Sequence, residues 1–498
     1  MRKKLIFDIS ANTIQVVINQ ILGSAVFLIT SIYLAKTDYG EFNWSLAILT
    51  FTTTILGLRL EQIVVQKIAA GENPSTILSS FLIHVALSGV GFYFFLLLAS
   101  YMFPGFFNQH SFLLIIGISQ LLSYFSSPFK QIANGTENFD QFALMSFAGN
   151  FFKTVGLLIL IFFSHLNIQN VLLIFILGAF VELLLCYILV RYKMNIRVFS
   201  SINFTHYKIL LKQSTAQIGT ALLMAGITRM DWILLGIFST QVKTAEYSFA
   251  YRAYELSPFP LLIIAPILLS RFSRFFVKQN EQTLLKRNEI SILLRFEMIL
   301  ATFIPLVLNI IWSPVMDLIT HGKYGTSNQV IFLILCFCIP FQYMNNFFWT
   351  VHFAQNRLNL IFRIILITCV IVLIGDFIFI PLYQVLGAAC VYVLAIIVEY
   401  INYMRSSSLS AAKETWQSLI ICLTSAVVSG LTVFYLFDSV FLRILVATIS
   451  FFTLLIALKQ LKKADLQYLT SIPAAQKAGS HPGKAISPHY ESENSIIT

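Results

Sequence analysis

Apolar stretches of about twenty residues follow one another along almost the whole of this chain, separated by short polar connections. No other feature limits the possible folds as strongly. A helical stretch of that length spans the ~30 Å hydrocarbon core of a bilayer. Inside lipid, only a structure that satisfies every backbone N–H and C=O internally is tolerated, so these segments are expected to be transmembrane α-helices. Composition agrees, because 57% of the 498 residues are hydrophobic and only 11% charged, against roughly 25% charged in a soluble domain. The expected fold class is an all-α polytopic membrane protein.

Allowing about twenty apolar residues per crossing gives about fourteen spans. The first six cover 10–35, 40–60, 76–103, 111–133, 141–164 and 170–190, and the next six 209–238, 247–269, 291–320, 329–353, 360–380 and 383–404. Two more follow at 416–437 and 440–458. The start of the chain is basic, but its apolar run continues without a small-residue cleavage site, so the first helix is expected to be retained. The expected organisation is an amino-terminal six-helix lobe (1–192), a basic cytoplasmic linker (193–208), a carboxy-terminal six-helix lobe (209–405), two additional helices (406–463) and a disordered cytoplasmic tail (464–498).

The net charge of +11 follows membrane sidedness and does not imply nucleic acid. Basic residues cluster at 2–4, 191–212, 271–287 and 459–463, all in connections that fall on one side of the membrane. Lys36, Lys243, Lys323 and Arg443 lie on the other. The positive-inside rule then puts both termini in the cytoplasm. The basic 271–295 connection is expected to form a short amphipathic segment, and both rich basic connections suit contact with anionic lipid as well as orientation.

An internal echo relates Gly40-Glu41-Phe42-Asn43-Trp44-Ser45 to Ala245-Glu246-Tyr247-Ser248-Phe249-Ala250. A second relates Ala133-Asn134-Gly135 to Ala354-Gln355-Asn356. Both fall at equivalent places in the two six-helix units, the parallel-repeat plan of many secondary transporters.

Within this apolar background, ionisable residues are conspicuous. A charge at the centre of a membrane helix costs roughly 2.5 to 3.5 kcal/mol, so such residues pair or line a polar path. Arg229 and Asp231 lie in one span, Arg252 and Glu255 in the next. With the turn near Gln241, Asp231 matches Arg252 in depth and Arg229 matches Glu255, which gives two expected antiparallel ion pairs. Arg229 and Asp231 themselves point about 200° apart and cannot pair. Lys153 and Glu182 match in the same way about a turn near Leu166, and Glu399 stands in the twelfth span. Asp317, Asp376 and Asp438 lie nearer helix ends, where water and headgroups account for them. A single pair of this kind can serve simply to join helices; the spread of charges over both halves favours a substrate or ion path.

Gln15, Asn19 and Gln20 in the first span and Gln342, Asn345 and Asn346 in the tenth suit either joining helices or binding sugar hydroxyls. Pro258, Pro260, Pro266, Pro305 and Pro314 mark bends. His84 reads as a hydrogen-bonded core residue. All six cysteines fall in apolar spans without metal or redox spacing. No Walker loop, metal-binding His-Glu-x-x-His helix or nucleophile elbow is present, so neither an enzyme nor a cofactor is expected. A membrane glycan polymerase would need a large external loop, and the outer connections are short.

Asp231-Trp232-Ile233-Leu234-Leu235-Gly236, the segment Ala245 through Arg252, Pro260 and His321-Gly322-Lys323-Tyr324 resemble the Wzx-like bacterial polysaccharide-biosynthesis flippases. These belong to the multidrug/oligosaccharidyl-lipid/polysaccharide exporter superfamily. The chain departs from many members at Trp232, where they carry a basic residue, and Arg229 is the candidate substitute. The resemblance implies a transporter in the bacterial inner membrane that turns undecaprenyl-pyrophosphate-linked oligosaccharides (O-antigen, capsule or exopolysaccharide units) from the cytoplasmic to the periplasmic leaflet by alternating access. A polymerase and other glycan-assembly proteins would be its partners. Lys153, Arg229 and Arg252 then suit the anionic pyrophosphate, and Glu182, Asp231 and Glu255 suit a coupling proton or sodium ion. A peptidoglycan-precursor lipid flippase and a cation-coupled drug exporter are the alternatives.

Overall fold

The computed structural model describes residues 2–199, 204–258, 260–261, 283–407 and 412–461, with 2–16, 205–206, 215–217, 283–291, 293, 412–415 and 435 described by their backbone alone. Among these residues every regular element is a helix. In order they are α1 (Arg2–Tyr33), α2 (Lys36–Leu56), α3 (Leu60–Ala69), α4 (Pro74–Met102), α5 (Pro104–Gln109), α6 (Phe112–Gly135), α7 (Phe139–Phe162) and α8 (Ile168–Ile188), the last ending in a π turn, Leu189–Lys193. After it come α9 (Phe204–Phe238), α10 (Gln241–Leu256), α11 (Thr283–Thr320), α12 (Gln329–Cys336), α13 (Ile339–Ala354), α14 (Leu358–Ser406), α15 (Ala412–Leu436) and α16 (Val440–Ala457). Part of the 193–208 linker, the end of the span expected at 247–269 with Pro266, the basic 271–295 segment as far as 282, and the 464–498 tail lie outside the described residues.

Ten of the described helices are long and apolar enough to cross a membrane, or eleven if the bent pair α2 and α3 is one span. Their outer faces confirm the environment: Leu87, Phe94, Phe95 and Leu98 of α4 are exposed while Ile77, Leu78, Phe81 and Val85 of the same helix are buried. Such a face is stable against lipid and would aggregate in water.

Helix starts follow local chemistry. Asn73 accepts from the Ser75 amide ahead of Pro74 to begin α4, Asn167 accepts from Asn170 to begin α8, and Thr240 from Lys243 to begin α10. Each cap satisfies one orphan amide of the first turn. The breaks are equally local. Leu58 and Arg59 adopt left-handed backbone (φ 48° and 55°), and α3 leaves α2 at 47°. Helix α14 is a run of 49 residues that folds back on itself at Pro381 and Gln384 (φ 51°). A Cβ on Gly387 would lie 2.3 Å from the Phe379 carbonyl oxygen, and one on Gly375 2.6 Å from Val391. At the far ends of the two arms, Arg357 donates to the Ser406 carbonyl. The span expected at 329–353 is one membrane-length segment, Gln329–Ala354, interrupted where α12 ends at Cys336 and Pro340 enters the first turn of α13.

Helices α1 to α8 pack mainly on one another, as do α9 to α14, with α15 and α16 seated against α11. The two bundles meet where α2 packs on α9 and α10. One hydrophobic core runs through this contact. A second, smaller one at the opposite end gathers α3, α4, the ends of α6 and α8, and Leu210 of α9.

Candidate transport pathway between the two bundles

The bundles are sealed at one end by close backbone approach. A Cβ on Gly40 would lie 1.9 Å from the Gln241 carbonyl oxygen, and a Cβ on Gly236 1.8 Å from the Trp44 indole. Each bundle thus provides a glycine notch for the other. The Trp44 Nε1–H donates to the Ile233 carbonyl of α9 at 3.0 Å. Lys36 pairs with Glu246 of α10 at 3.0 Å, and Lys323 donates to the Ile32 and Leu34 carbonyls at the end of α1. Phe249 stacks on Tyr324 at 4.3 Å, and Tyr39 meets the same ring edge-on. The echoing segments about residues 40–45 and 245–250 lie in the two helices that form this seam.

Away from this end the bundles enclose a space, and the first turns of α9 meet α3 and α4 again beyond it through Tyr207 and Leu210. A cavity of about 460 Å³ opens between α2, α3, α6 and α9, lined by Thr50, Thr54, Gln120 and Ser123 and by the charged Arg59, Glu61 and Arg229. Glu61 accepts from Ser127 at 2.6 Å. The left-handed turn at Leu58 and Arg59 is what brings Arg59 to this wall. A second, larger recess of about 970 Å³ lies between α11, α12 and α15, and is lined mainly by apolar side chains.

Of the two ion pairs expected in the α9–α10 hairpin, one forms. Arg229 reaches Glu255 at 3.4 Å, but Arg252 turns to Glu255 as well, at 2.9 Å, in place of Asp231. Matching depth does not suffice for a pair: Asp231 is fully buried, accepting from the Tyr247 hydroxyl at 2.6 Å and from the Trp232 amide at 2.8 Å. Both guanidinium groups stand 5.2 Å from the centre of the Trp232 ring. The aromatic residue that occupies the family's basic position therefore collects two cations, an arrangement favoured by the negative face of its π-system.

In the amino-terminal bundle, Glu182 accepts from Lys130 at 2.5 Å and Ser126 at 2.7 Å. Lys153 lies on the neighbouring helix with its ammonium 5.0 Å over the Phe175 ring. Here too glycines make the room. A Cβ on Gly149 would fall 2.0 Å from a Glu182 carboxylate oxygen, and one on Gly178 2.7 Å from the Lys153 chain. Lys153 and Glu182 are thus neighbours, but the direct partner of Glu182 is Lys130. Neither lines the central cavity, which is bounded by other residues.

Asp376, assigned above to a solvated helix end, is 1% exposed and neither of its carboxylate oxygens has a hydrogen-bond partner. The hairpin form of α14 turns it inward, and the first arm of that hairpin packs against α9, which carries Asp231. Asp317, also expected to be met by water and headgroups, instead accepts from the Gly325 and Thr326 amides of the 321–328 connection at 2.7 and 2.9 Å. Glu399 is half-buried on the second arm of α14. The tenth-span carboxamides join helices: Gln342 donates to Tyr392 and Asn345 to the Ile396 carbonyl. His84 bridges the Leu56 carbonyl at the α2 break and the Tyr207 hydroxyl of α9. Among the described residues no group of three or more potential metal ligands gathers, and five of the six cysteines are buried, with Cys390 exposed.

Sequence reasoning passes over Arg59, Glu61 and Lys130. The Arg59-Leu60-Glu61 charges at an expected span end, and a lysine one turn from a helix end, resemble the ordinary edge of a membrane helix. Only the bend and the neighbouring helices distinguish them.

The family model described as polysaccharide biosynthesis protein matches residues 6–276. No curated protein sequence matches the chain. Among solved structures, a lipid II flippase MurJ in an inward closed conformation is similar over 89% of this chain and 97% of its own, with a TM-score of 0.69 and 15% identity. A multidrug resistance MATE family transporter of the MOP superfamily, inward-facing, covers 80% of this chain and 96% of its own at TM-score 0.62 and 15% identity. The MATE transporter VcmN of Vibrio cholerae, in its bent form, covers 84% and 99% at TM-score 0.53 and 13% identity.

Proposed function

This chain belongs to the polysaccharide biosynthesis protein family, a membrane transporter with the fold of the MOP superfamily, and we propose that it flips undecaprenyl-pyrophosphate-linked oligosaccharide units across the bacterial inner membrane by alternating access. The observation that carries this reading is the asymmetry of the space between the bundles. One end is sealed by interlocked glycines, aromatics and a Lys36–Glu246 pair. The other half encloses a cavity with two arginines, one carboxylate and a wall of hydroxyl and amide groups.

That lining matches a glycan diphosphate. Arg59 and Arg229 offset the cost of bringing a multiply charged anion into a low dielectric, and Thr50, Thr54, Gln120 and Ser123 offer hydrogen bonds to sugar hydroxyls. The lipid tail can stay in the bilayer while the head group passes. With both termini cytoplasmic, the sealed end is the periplasmic one and the cavity faces the cytoplasm.

Coupling falls to the buried carboxylates. Asp231 and Asp376 are both buried in the carboxy-terminal bundle; among the described residues Asp231 accepts from Tyr247 and the Trp232 amide, and Asp376 has no donor. Two acids so placed are stabilised by a shared proton or a sodium ion. The Arg229–Glu255–Arg252 cluster would respond to a bound anion, because one carboxylate holds two cations and yields one when a phosphate arrives.

The test is reconstitution. Proteoliposomes containing a fluorescent undecaprenyl-pyrophosphate-linked disaccharide should show protein-dependent loss of the label from one leaflet, and Arg59→Ala and Arg229→Ala should each slow it at least ten-fold with folding intact. Wild-type rates in both variants would remove the cavity arginines from the pathway. Flipping indifferent to proton and sodium gradients would remove the coupling role of Asp231 and Asp376, and export of organic cations in place of the lipid would favour the drug-exporter reading.

A further inference from the structure

The polar contacts that hold the sealed end share one chemistry. Lys36 of α2 crosses the seam to the Glu246 carboxylate at 3.0 Å and to the Ser327 hydroxyl at 3.4 Å, and its ammonium stands 5.3 Å over the Tyr324 ring. Lys323 crosses in the opposite direction, from the 321–328 connection to the terminal carbonyls of α1. Glu246 is 7% exposed and also receives Lys243 at 2.9 Å. Its position is fixed, since Asn328 donates to its backbone carbonyl at 3.2 Å and is itself held by Trp312. Burial, and then the nearby Lys36 ammonium, hold Lys323 below the ordinary lysine range. Two lysines, Lys36 and Lys243, therefore hold one buried carboxylate, and Lys36 and Lys323 both reach across the line along which the bundles must separate.

Separation has a definite electrostatic consequence. Lys36 leaves with α2, while Glu246 and Lys243 stay with α10 and keep each other. Lys323 loses the carbonyls of α1. Both ammonium groups are left without their acceptors, and the lost ion pair and hydrogen bonds oppose opening unless an anion enters. A diphosphate carries enough oxygens and charge to take both lysines at once.

We propose that Lys36 and Lys323 form a docking site for the pyrophosphate of the carried lipid at the outer mouth, filled as the bundles part and the Lys36–Glu246 pair breaks. The site makes opening of the seam conditional on an anionic cargo, and Glu246 is the competitor that empties it when the seam closes again. This rests on the reading of the cargo as a lipid-linked diphosphate.

The experiment has a binding arm and a transport arm. Inorganic pyrophosphate is titrated into the full-length protein in nanodiscs as wild type, Glu246→Gln and Lys36→Gln/Glu246→Gln, with melting temperature as the check on folding. Glu246→Gln should bind at least ten-fold tighter than wild type, and the double variant should lose that gain. Equal affinities in all three overturn the proposal. In proteoliposomes, the charge exchange Lys36→Glu/Glu246→Lys restores an ion pair across the seam but removes the cation from α2. It should flip the fluorescent undecaprenyl-pyrophosphate-linked disaccharide at least ten-fold more slowly than wild type. Wild-type flipping by this variant overturns the docking role. So does a gain in pyrophosphate affinity without any change in flipping, which assigns the site to a soluble anion. A wild-type protein that binds pyrophosphate in this pattern yet flips no diphosphate lipid refutes the proposed cargo while leaving the anion site in place.

Discussion

The Trp44 indole of one bundle occupies the space that a side chain on Gly236 of the other would need, with the hypothetical Cβ 1.8 Å from its ring. Because the same indole donates to Ile233 one turn away, the contact is both a steric fit and a hydrogen bond. It fixes how closely α2 and α9 approach at the sealed end.

Gly236→Ala should therefore force the seam apart. Overpacking a well-filled contact costs about 1 to 3 kcal/mol, read as a lowered melting temperature in detergent. Trp44→Ala in the same background should recover part of that loss. A purely additive double variant would show that the two residues do not share the site.

Tyr247→Phe removes the hydroxyl that Asp231 accepts at 2.6 Å. Leaving a buried acceptor without its donor costs roughly 1 to 3 kcal/mol, so the variant should be less stable by an amount in that range. In an Asp231→Asn background the same change should cost less, and thermal denaturation of the four proteins measures the difference.

Gly149→Ala places a methyl group 2.0 Å from the Glu182 carboxylate and should dislodge it from Lys130 and Ser126. Breaking a buried pair typically costs about 3 to 5 kcal/mol; here the Lys130 side chain is partly exposed, so the low end is expected. Expression and melting temperature report it. Glu182→Gln should destabilise as well, by leaving Lys130 without its counter-ion.

Trp232→Ala takes away the ring that both Arg229 and Arg252 overlie. At about 0.5 to 2 kcal/mol per cation–π contact, the arginines should become freer to follow an anion, and pyrophosphate affinity in the cavity should change while Glu255 still holds both. Trp232→Lys, which installs the basic residue common in the family, should destabilise through repulsion of two nearby guanidinium groups. Unaltered melting and binding in both variants would mean that the indole does not organise this cluster.

The α9–α10 hairpin shows how far the chain can be read residue by residue. That Arg229, Asp231, Arg252 and Glu255 lie near one depth follows from helix rise and the turn at Thr240, and the Arg229–Glu255 pair forms. The Asp231–Arg252 pair does not, because depth leaves rotation about the helix axis open. Rotation is set by what packs behind each helix, and Tyr247 on one side and the folded-back α14 on the other turn Asp231 inward. Asp376 departs from expectation for the same reason, since its place near a helix end is solvated only if the helix faces out.

What the sequence by itself determined is the all-helical membrane architecture and the family. Each depends on local causes: apolar length against bilayer thickness, and contiguous motifs. What only the tertiary structure decided is partnership. Lys130 with Glu182, Lys36 with Glu246 and Trp44 with Gly236 join residues far apart in the chain, and at Glu182 and Trp44 the space is created by a missing side chain on a different helix. Charge pairing inside a membrane protein is decided by which groups the packed helices turn toward each other, and that orientation is a property of the assembled bundles.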